Sequence, residues 1–206
     1  MNQFKTAIIG SNGYIGKNLS YYLFKHKINN YDFDINKKTE NSWMKYSNLD
    51  VTSKESFVKI CDDTDVIFFM AAITGTSDGF ECYKKYYDIN VVGLINLLDY
   101  IKNKKKKPKI IFPSTRLVYE GKKNKTLSEN DKKKAKTTYA LTKLVCEETL
   151  RMYADFYNIN FDILRICVPH GNLVNSNLSY GTLGFFLKRA MAARDPIKPA
   201  PTIKKS

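Results

Sequence analysis

The chain has 206 residues, of which 43% are hydrophobic; that is enough for one domain with a real core and leaves little room for extensive disorder. A formal charge of +14 points to nucleic acid, an anionic membrane or an anionic small substrate. The excess is mostly lysine, however, and its densest run, KNKKKKPK at 102–109, has no arginine or aromatic residue with which to read or stack bases, so nucleic-acid binding is set aside.

The longest apolar run, Val66 to Ile73, is far too short to cross a bilayer, which sets a membrane protein aside. The N-terminus, MNQFKTAIIG, moves straight into a strand pattern and reads as having no secretory leader. Cys61, Cys82, Cys146 and Cys167 are scattered and never in a C-x-x-C spacing, so they are read as buried free thiols of a cytoplasmic protein.

The first predicted element is an apolar strand at 5–9, followed by a glycine-rich turn and a helix over 14–25. A short strand at 31–35 ends in acidic residues. The continuous apolar run DVIFFMAA at 65–72 is the pattern of a strand buried on both faces of a parallel sheet. Helices are predicted on either side of it, at 53–62 and 83–102. A strand at 109–114, a polar lysine-rich loop at 120–136, a long helix at 137–156 and a strand at 161–166 complete the series. Strands alternating with helices predict an α/β fold, a Rossmann-type doubly wound parallel sheet.

The stretch GSNGYIG sets Gly10, Gly13 and Gly16 between the first strand and the first helix. Gly10 permits a tight turn, Gly13 lets the backbone approach a pyrophosphate, and Gly16 lets helix and strand pack closely. The pyrophosphate then sits on the N–H groups of the helix N-terminus. Asp34, at the end of the second strand, can accept hydrogen bonds from adenosine ribose hydroxyls and would repel a 2′-phosphate, which favours NAD over NADP. Asp32 is the competing carboxylate, and Lys37 and Lys38 follow closely enough to soften the preference. In TTYALTK, Tyr139 and Lys143 stand one helical turn apart on one face. They are either surface neighbours or an acid–base pair.

In this order the motifs resemble the extended short-chain dehydrogenase/reductase family, the NAD-dependent epimerases and dehydratases that act on nucleotide sugars. The resemblance covers about residues 4 to 195. GSNGYIG, with Asn12, Tyr14 and Ile15 between its glycines, looks like the family's cofactor turn. Asp50 and Val51 match the pair beside the adenine, and Ala71 and Ala72 in VIFFMAAITG match residues along the cofactor, although Phe69 stands where histidine is common. Asn90 in NVVGLINLL is similar to the helix asparagine that supports the active site. FPSTRLVYEG resembles the strand carrying the catalytic hydroxyl, which aligns on Thr115 with Ser114 as its rival, and YALTK is the family's Y-x-x-x-K.

The resemblance implies roles for three residues. Lys143 binds the nicotinamide ribose hydroxyls and stabilises the phenolate of Tyr139; an unperturbed phenol titrates near ~10 and is a poor base at neutral pH. Thr115 hydrogen-bonds the reacting sugar hydroxyl, and Tyr139 takes its proton. The family's dehydratases follow the catalytic threonine with Asp-Glu, whereas this chain has Arg116 and Leu117. The implied activity is therefore an NAD-dependent nucleotide-sugar epimerase, with a nucleotide-sugar reductase or dehydrogenase, or an inactive NAD-binding module, as alternatives.

The segment LRICVPHGN resembles the family's L-R-x-x-N-x-x-G, with Arg165 and Gly171 matching, Val168 in place of the substrate-holding asparagine, and His170 where tyrosine or valine is frequent. Arg116 and Val168 are carried as substrate-contact candidates. The expected organisation is an NAD-binding domain at 1–170 and, at 171–206, the start of a substrate lobe that is C-terminally truncated. SYGTLGFFLKRAMAARDPI reads as a loop and helix of that lobe, and the tail KPAPTIKKS as disordered. Leu94, Leu97, Leu98, Leu141, Leu144 and Val145 either pack on the sheet or face a partner. The family's pairing of the corresponding helices implies a homodimer through 83–102 and 137–157.

Overall fold

The computed structural model describes residues 4–37, 43–75, 79–121, 126–171, 173–174, 184, 186 and 189. Its described residues up to Cys167 form one compact unit, and those from Val168 onward belong to a second. The first unit is built on β1 (Lys5–Ile9), β2 (Asn29–Asp34), β3 (Lys45–Asn48), β4 (Val66–Phe69), β5 (Lys109–Thr115) and β6 (Phe161–Ile166). All pair in parallel, in the order β3-β2-β1-β4-β5-β6. The helices are α1 (Tyr14–Lys25), α2 (Tyr83–Tyr86), α3 (Gly93–Ile101) and α4 (Thr138–Tyr157). This is the predicted Rossmann-type fold. The strand order reverses direction between β1 and β4, and a doubly wound sheet opens its ligand crevice at that switch point.

Burial explains which segments became strands. Four successive residues of β1, Thr6 to Ile9, are buried, because helices cover both faces of a central parallel strand. Edge strand β6 instead alternates half-buried and exposed side chains. Strand β3 was not foreseen: Lys45–Asn48 is short and polar, lies on the opposite edge, and carries no hydrophobic signal.

Two predicted helices came out differently. The stretch over 53–62 is a short 3-10 helix, Lys54–Lys59, whose one buried side chain is Phe57, and that is too little apolar surface to hold an α-helix of the predicted length. The helix over 83–102 is interrupted at Tyr87–Val92 by a π-turn, which frees backbone carbonyls from the regular ladder. Within it, Asn90 O accepts the Cys146 thiol at 3.1 Å. The cysteine expectation needs correction as well. All four are free, but only Cys146 is buried; Cys61, Cys82 and Cys167 are exposed.

Phe33, Phe57, Phe69, Phe112, Ile67, Leu94, Leu97 and Leu98 form the core. This decides for α3 which way its apolar stripe faces: Leu94, Leu97 and Leu98 pack on the sheet and are fully buried. Lysines of the 102–109 run are engaged by carboxylates, with Lys102 on Asp99, Lys104 on Asp62, Lys106 on Asp65 and Lys109 on Asp162. Among the described residues no helix is long and apolar enough to cross a membrane.

One ion pair ties the far half of the unit together. Glu147, on the inward face of α4, is completely buried. Its carboxylate accepts from Arg165 of β6 through Nε at 2.9 Å and Nη2 at 2.6 Å, and from Ser114 Oγ of β5 at 2.5 Å. Arg165 also donates to Tyr119 OH at 2.7 Å and to Glu129 O at 2.9 Å. Burial raises the Glu147 pKa, but hydrogen bonds from Arg165 and Ser114 outweigh it and hold the carboxyl below its usual value. The pair therefore contributes stability above the unfolded carboxyl pKa of about 4.3, and loses it as pH falls through the lower folded value. Arg165→Met strands the buried carboxylate and is expected to cost about 3–5 kcal/mol at pH 7 by urea unfolding. The deficit should shrink toward pH 4 as Glu147 protonates; an equal deficit at both pH values would show that charge is not the cause.

Candidate active site

At the carboxyl ends of β1, β2 and β4 the structure opens a cavity of about 320 Å³. Its walls are the turn after β1 (Gly10, Asn12, Gly13), the end of β2 and its continuation (Asp34, Ile35, Asn36), the loop Leu49–Val51, and the tail of β4 (Met70–Ile73), with Ile89 behind. Eight of the cofactor candidates meet here: Gly10, Asn12, Gly13, Asp34, Asp50, Val51, Ala71 and Ala72. Tyr14, Ile15 and Gly16 begin α1 outside the cavity lining, and Asn90, Thr115, Tyr139 and Lys143 are also outside it.

The glycines fit their sites. Gly10 has φ +91°, and a Cβ there would meet the Ala71 backbone, 2.7 Å from its Cα. A Cβ on Gly16 would strike the Gly10 carbonyl and lie 2.9 Å from Ser11 Cα, so the close helix–strand approach requires both to lack side chains. Helix α1 starts at Gly13 without a side-chain cap or an acidic residue in its first turn, which leaves the positive end of its dipole for an anion. Among the described residues the buried Ser11 Oγ has no hydrogen-bond partner.

The two carboxylates of β2 separate cleanly. Asp32 points into a buried network, accepting from Ser20 Oγ at 2.6 Å and Asn30 Nδ2 at 2.7 Å. Asp34 lines the cavity, where it accepts from Asn12 N at 2.9 Å and from Asn36 N and Nδ2 at 3.0 and 3.2 Å. Sequence reading missed Asn36; its signal was an amide two residues past a strand-end acid, an arrangement that closes local side-chain–backbone turns.

Helix α4 starts with Thr137 capping Ala140 N at 3.2 Å. Tyr139 is half-buried, and Lys143 is 2% exposed. The Lys143 ammonium lies 4.5 Å from the Phe112 ring centroid and 5.9 Å from that of Tyr139, so aromatic faces partly replace its lost water. Burial pushes its pKa down to about 8, against an opposing contribution from Cys146. Burial also lifts the Cys146 thiol to about 12, which makes it inert at neutral pH.

On β5, Ser114 is committed to Glu147, while Thr115, 6% exposed, uses Oγ1 to accept from Leu117 N at 3.3 Å. Arg116 is exposed and lines a second hollow, with Tyr119, Lys133 and Arg151. Val168 lies in the second unit and is 42% exposed; its carbonyl is 3.3 Å from His170 Nδ1. The loop-and-helix reading over 179–197 falls almost wholly outside the described residues, and the tail at 198–206 entirely so.

A chain of hydrogen bonds joins the cavity wall to α4. Asn90, 1% exposed, accepts from Ile73 N at 2.8 Å, donates to Ile73 O at 3.1 Å and to Thr142 Oγ1 at 3.1 Å. Thr142 in turn donates to Tyr139 O at 2.8 Å. Thr142 was missed because nothing in a threonine inside a helix distinguishes a packing residue from a link.

A parallel sheet with a glycine turn at β1 and an acid at the end of β2 defines a dinucleotide-binding α/β protein. The chain belongs to the NAD dependent epimerase/dehydratase family, whose model matches residues 6–200. A protein of Methanocaldococcus jannaschii is 29% identical over 199 residues, 92% of this chain and 64% of its own length. The UDP-glucose 4-epimerase of Mycoplasma genitalium is 26% identical over 190 residues, covering 86% of this chain and 55% of that protein. The UDP-glucose 4-epimerase of Brucella ovis, solved with NAD, matches the fold with a TM-score of 0.76 at 22% identity, over 82% of this chain and 53% of that one. This chain thus spans less than two thirds of the relatives it matches.

Lys143 supplies a test of the site's electrostatics. Its folded pKa lies below the unfolded 10.5, so the unfolded chain binds more protons between the two values, and the wild type gains stability as pH rises from about 8 to 10.5. At pH 7 the buried ammonium costs about 3 kcal/mol. Lys143→Met is expected to raise unfolding free energy by about that amount at pH 7 and by much less at pH 10, read by urea titration. A destabilised variant at pH 7 would contradict the burial argument.

Proposed function

We propose that this chain carries the NAD-binding half and the proton-transfer residues of a nucleotide-sugar epimerase. The observation that carries the reading is the buried ammonium of Lys143 held beside the Tyr139 ring, on a helix linked by Asn90 to the wall of the cavity. Asp34 accepts from the adenosine ribose hydroxyls, Asp50 and Val51 flank the adenine, and the glycine turn with the start of α1, including Tyr14 and Ile15, takes the pyrophosphate. Ala71 and Ala72 give the cofactor a flat path toward α4. NAD, when bound, supplies the acceptor for the hydride of the sugar's carbinol carbon.

The chain's own residues handle the proton and the orientation. Thr115 holds the reacting sugar hydroxyl. Tyr139 removes its proton as the carbon is oxidised and returns it after reduction from the other face, and the Lys143 cation favours the phenolate that this requires. Arg116 and Val168 are the residues proposed to meet substrate. The proposed organisation is a cofactor-binding domain at 1–170 and the start of a substrate lobe from 171, acting in the cytoplasm.

Incubation with NAD and a panel of UDP-sugars, read by chromatographic separation of epimers, should show interconversion. Tyr139→Phe should slow it by about 10²–10⁴-fold while leaving NAD affinity intact. NAD binding without turnover of any sugar would favour the cofactor-binding module, and net accumulation of NADH would favour a dehydrogenase.

An exposed apolar stripe on α4, with Leu141 43%, Met152 50% and Phe156 79% accessible, supports a homodimer formed through the helical stretches 83–102 and 137–157. Sedimentation should show a dimer, and Met152→Glu should convert it to monomer without lowering thermal stability of the monomeric fold.

A further inference from the structure

The loop at 49–51 forms one wall of the cavity; Leu49 N donates to Asp34 O at 2.9 Å and ties the first residue of the loop to the end of β2, while Val51 is positioned from α3. Its outer side is closed locally: Asp50 Oδ1 accepts from Thr52 N at 2.9 Å and Thr52 Oγ1 at 2.8 Å. Its inner side is held by α3. Asn96, 2% exposed, donates through Nδ2 to Val51 O at 2.9 Å and to Thr52 O at 3.2 Å. One turn earlier, Gly93 faces Val51 so closely that a Cβ there would lie 2.8 Å from Val51 Cγ2 and 3.0 Å from its Cβ. Val51 is β-branched and cannot swing aside freely, so a side chain at 93 would drive it toward the cavity.

From this contact we infer that Asn96 and Gly93 are positioning residues for the adenine end of the cofactor: the amide pulls the Val51–Thr52 backbone onto α3, and the missing side chain at 93 sets how near it comes. The inference rests on the reading of the cavity as an NAD site. It extends that reading to two residues outside the cavity lining. The physical logic is pre-organisation. Two carbonyls held by one buried amide keep the adenine wall in its bound position before the ligand arrives, so binding does not have to order it.

The test uses the full chain, with NAD and AMP titrated separately by calorimetry well below the melting temperature. Asn96→Leu keeps the branched shape and removes both donors. It is expected to weaken NAD and AMP alike, each by about tenfold, since a wall no longer held in the free protein must be ordered when the ligand binds. Gly93→Ala, which keeps both donors, should give the same paired loss by displacing Val51, and it stands as the independent variant if Asn96→Leu does not fold. A purely structural role would lower the melting temperature and leave both affinities of the folded variant unchanged, and that result would overturn the inference. So would a loss seen with NAD but not with AMP, because it would place the effect at the nicotinamide end. Failure of the unmodified chain to bind NAD would instead overturn the cofactor reading, and the inference with it.

Discussion

Helix α4 carries two ionised groups into the interior, one turn apart, and the arrangement of the site follows from the different ways each is tolerated. Glu147 is fully paired: Arg165 and Ser114 occupy both its oxygens, and its charge is stabilised. Lys143 is not ion-paired within the described contacts of its own surroundings; its ammonium rests against two aromatic faces and is held below its normal pKa. A buried charge matched by a partner serves architecture, while one matched only by rings is stability given up for a local field. The first sets the helix against β5 and β6. The second places a cation beside Tyr139.

Side-chain amides do the joining between layers. Asn90 connects the tail of β4 to the turn of α4 that bears Tyr139, and Asn96 connects α3 to the loop after β3. Both lie on the same broken helix, on either side of the point where the π-turn gives way to α-helix. Inside the interruption, the Asn90 carbonyl accepts the Cys146 thiol of α4. Cys146, read in sequence as a buried free thiol, is thus also a backbone partner in the fold, with its thiol kept protonated by burial.

Legibility in the sequence followed the strength of the local signal. The central strands announced themselves because a buried parallel strand must be apolar throughout, and β6 matched its predicted bounds of 161–166. Strand β3 was silent because an exposed edge needs no hydrophobic residue. The glycine turn was readable since its conformation and close contacts admit no side chain. Asp34 was favoured with Asp32 still in competition, because residues two apart share one face of a strand; only the packing of Ser20 and Asn30 around Asp32 left Asp34 to the cavity.

What the amino-acid order determined by itself was therefore the alternation of strands and helices, the turn after β1, and the one-turn spacing of Tyr139 and Lys143. These depend on backbone conformation and on residues near in sequence. Tertiary structure alone decided that Lys143 is dry, that Ser114 is taken by Glu147 and Thr115 is not, and that α3 turns its leucines inward while α4 leaves Leu141 and Met152 outside. Those outcomes rest on contacts between residues dozens of positions apart, where charge, volume and hydrogen-bonding capacity must be matched across elements, and no local pattern encodes the match.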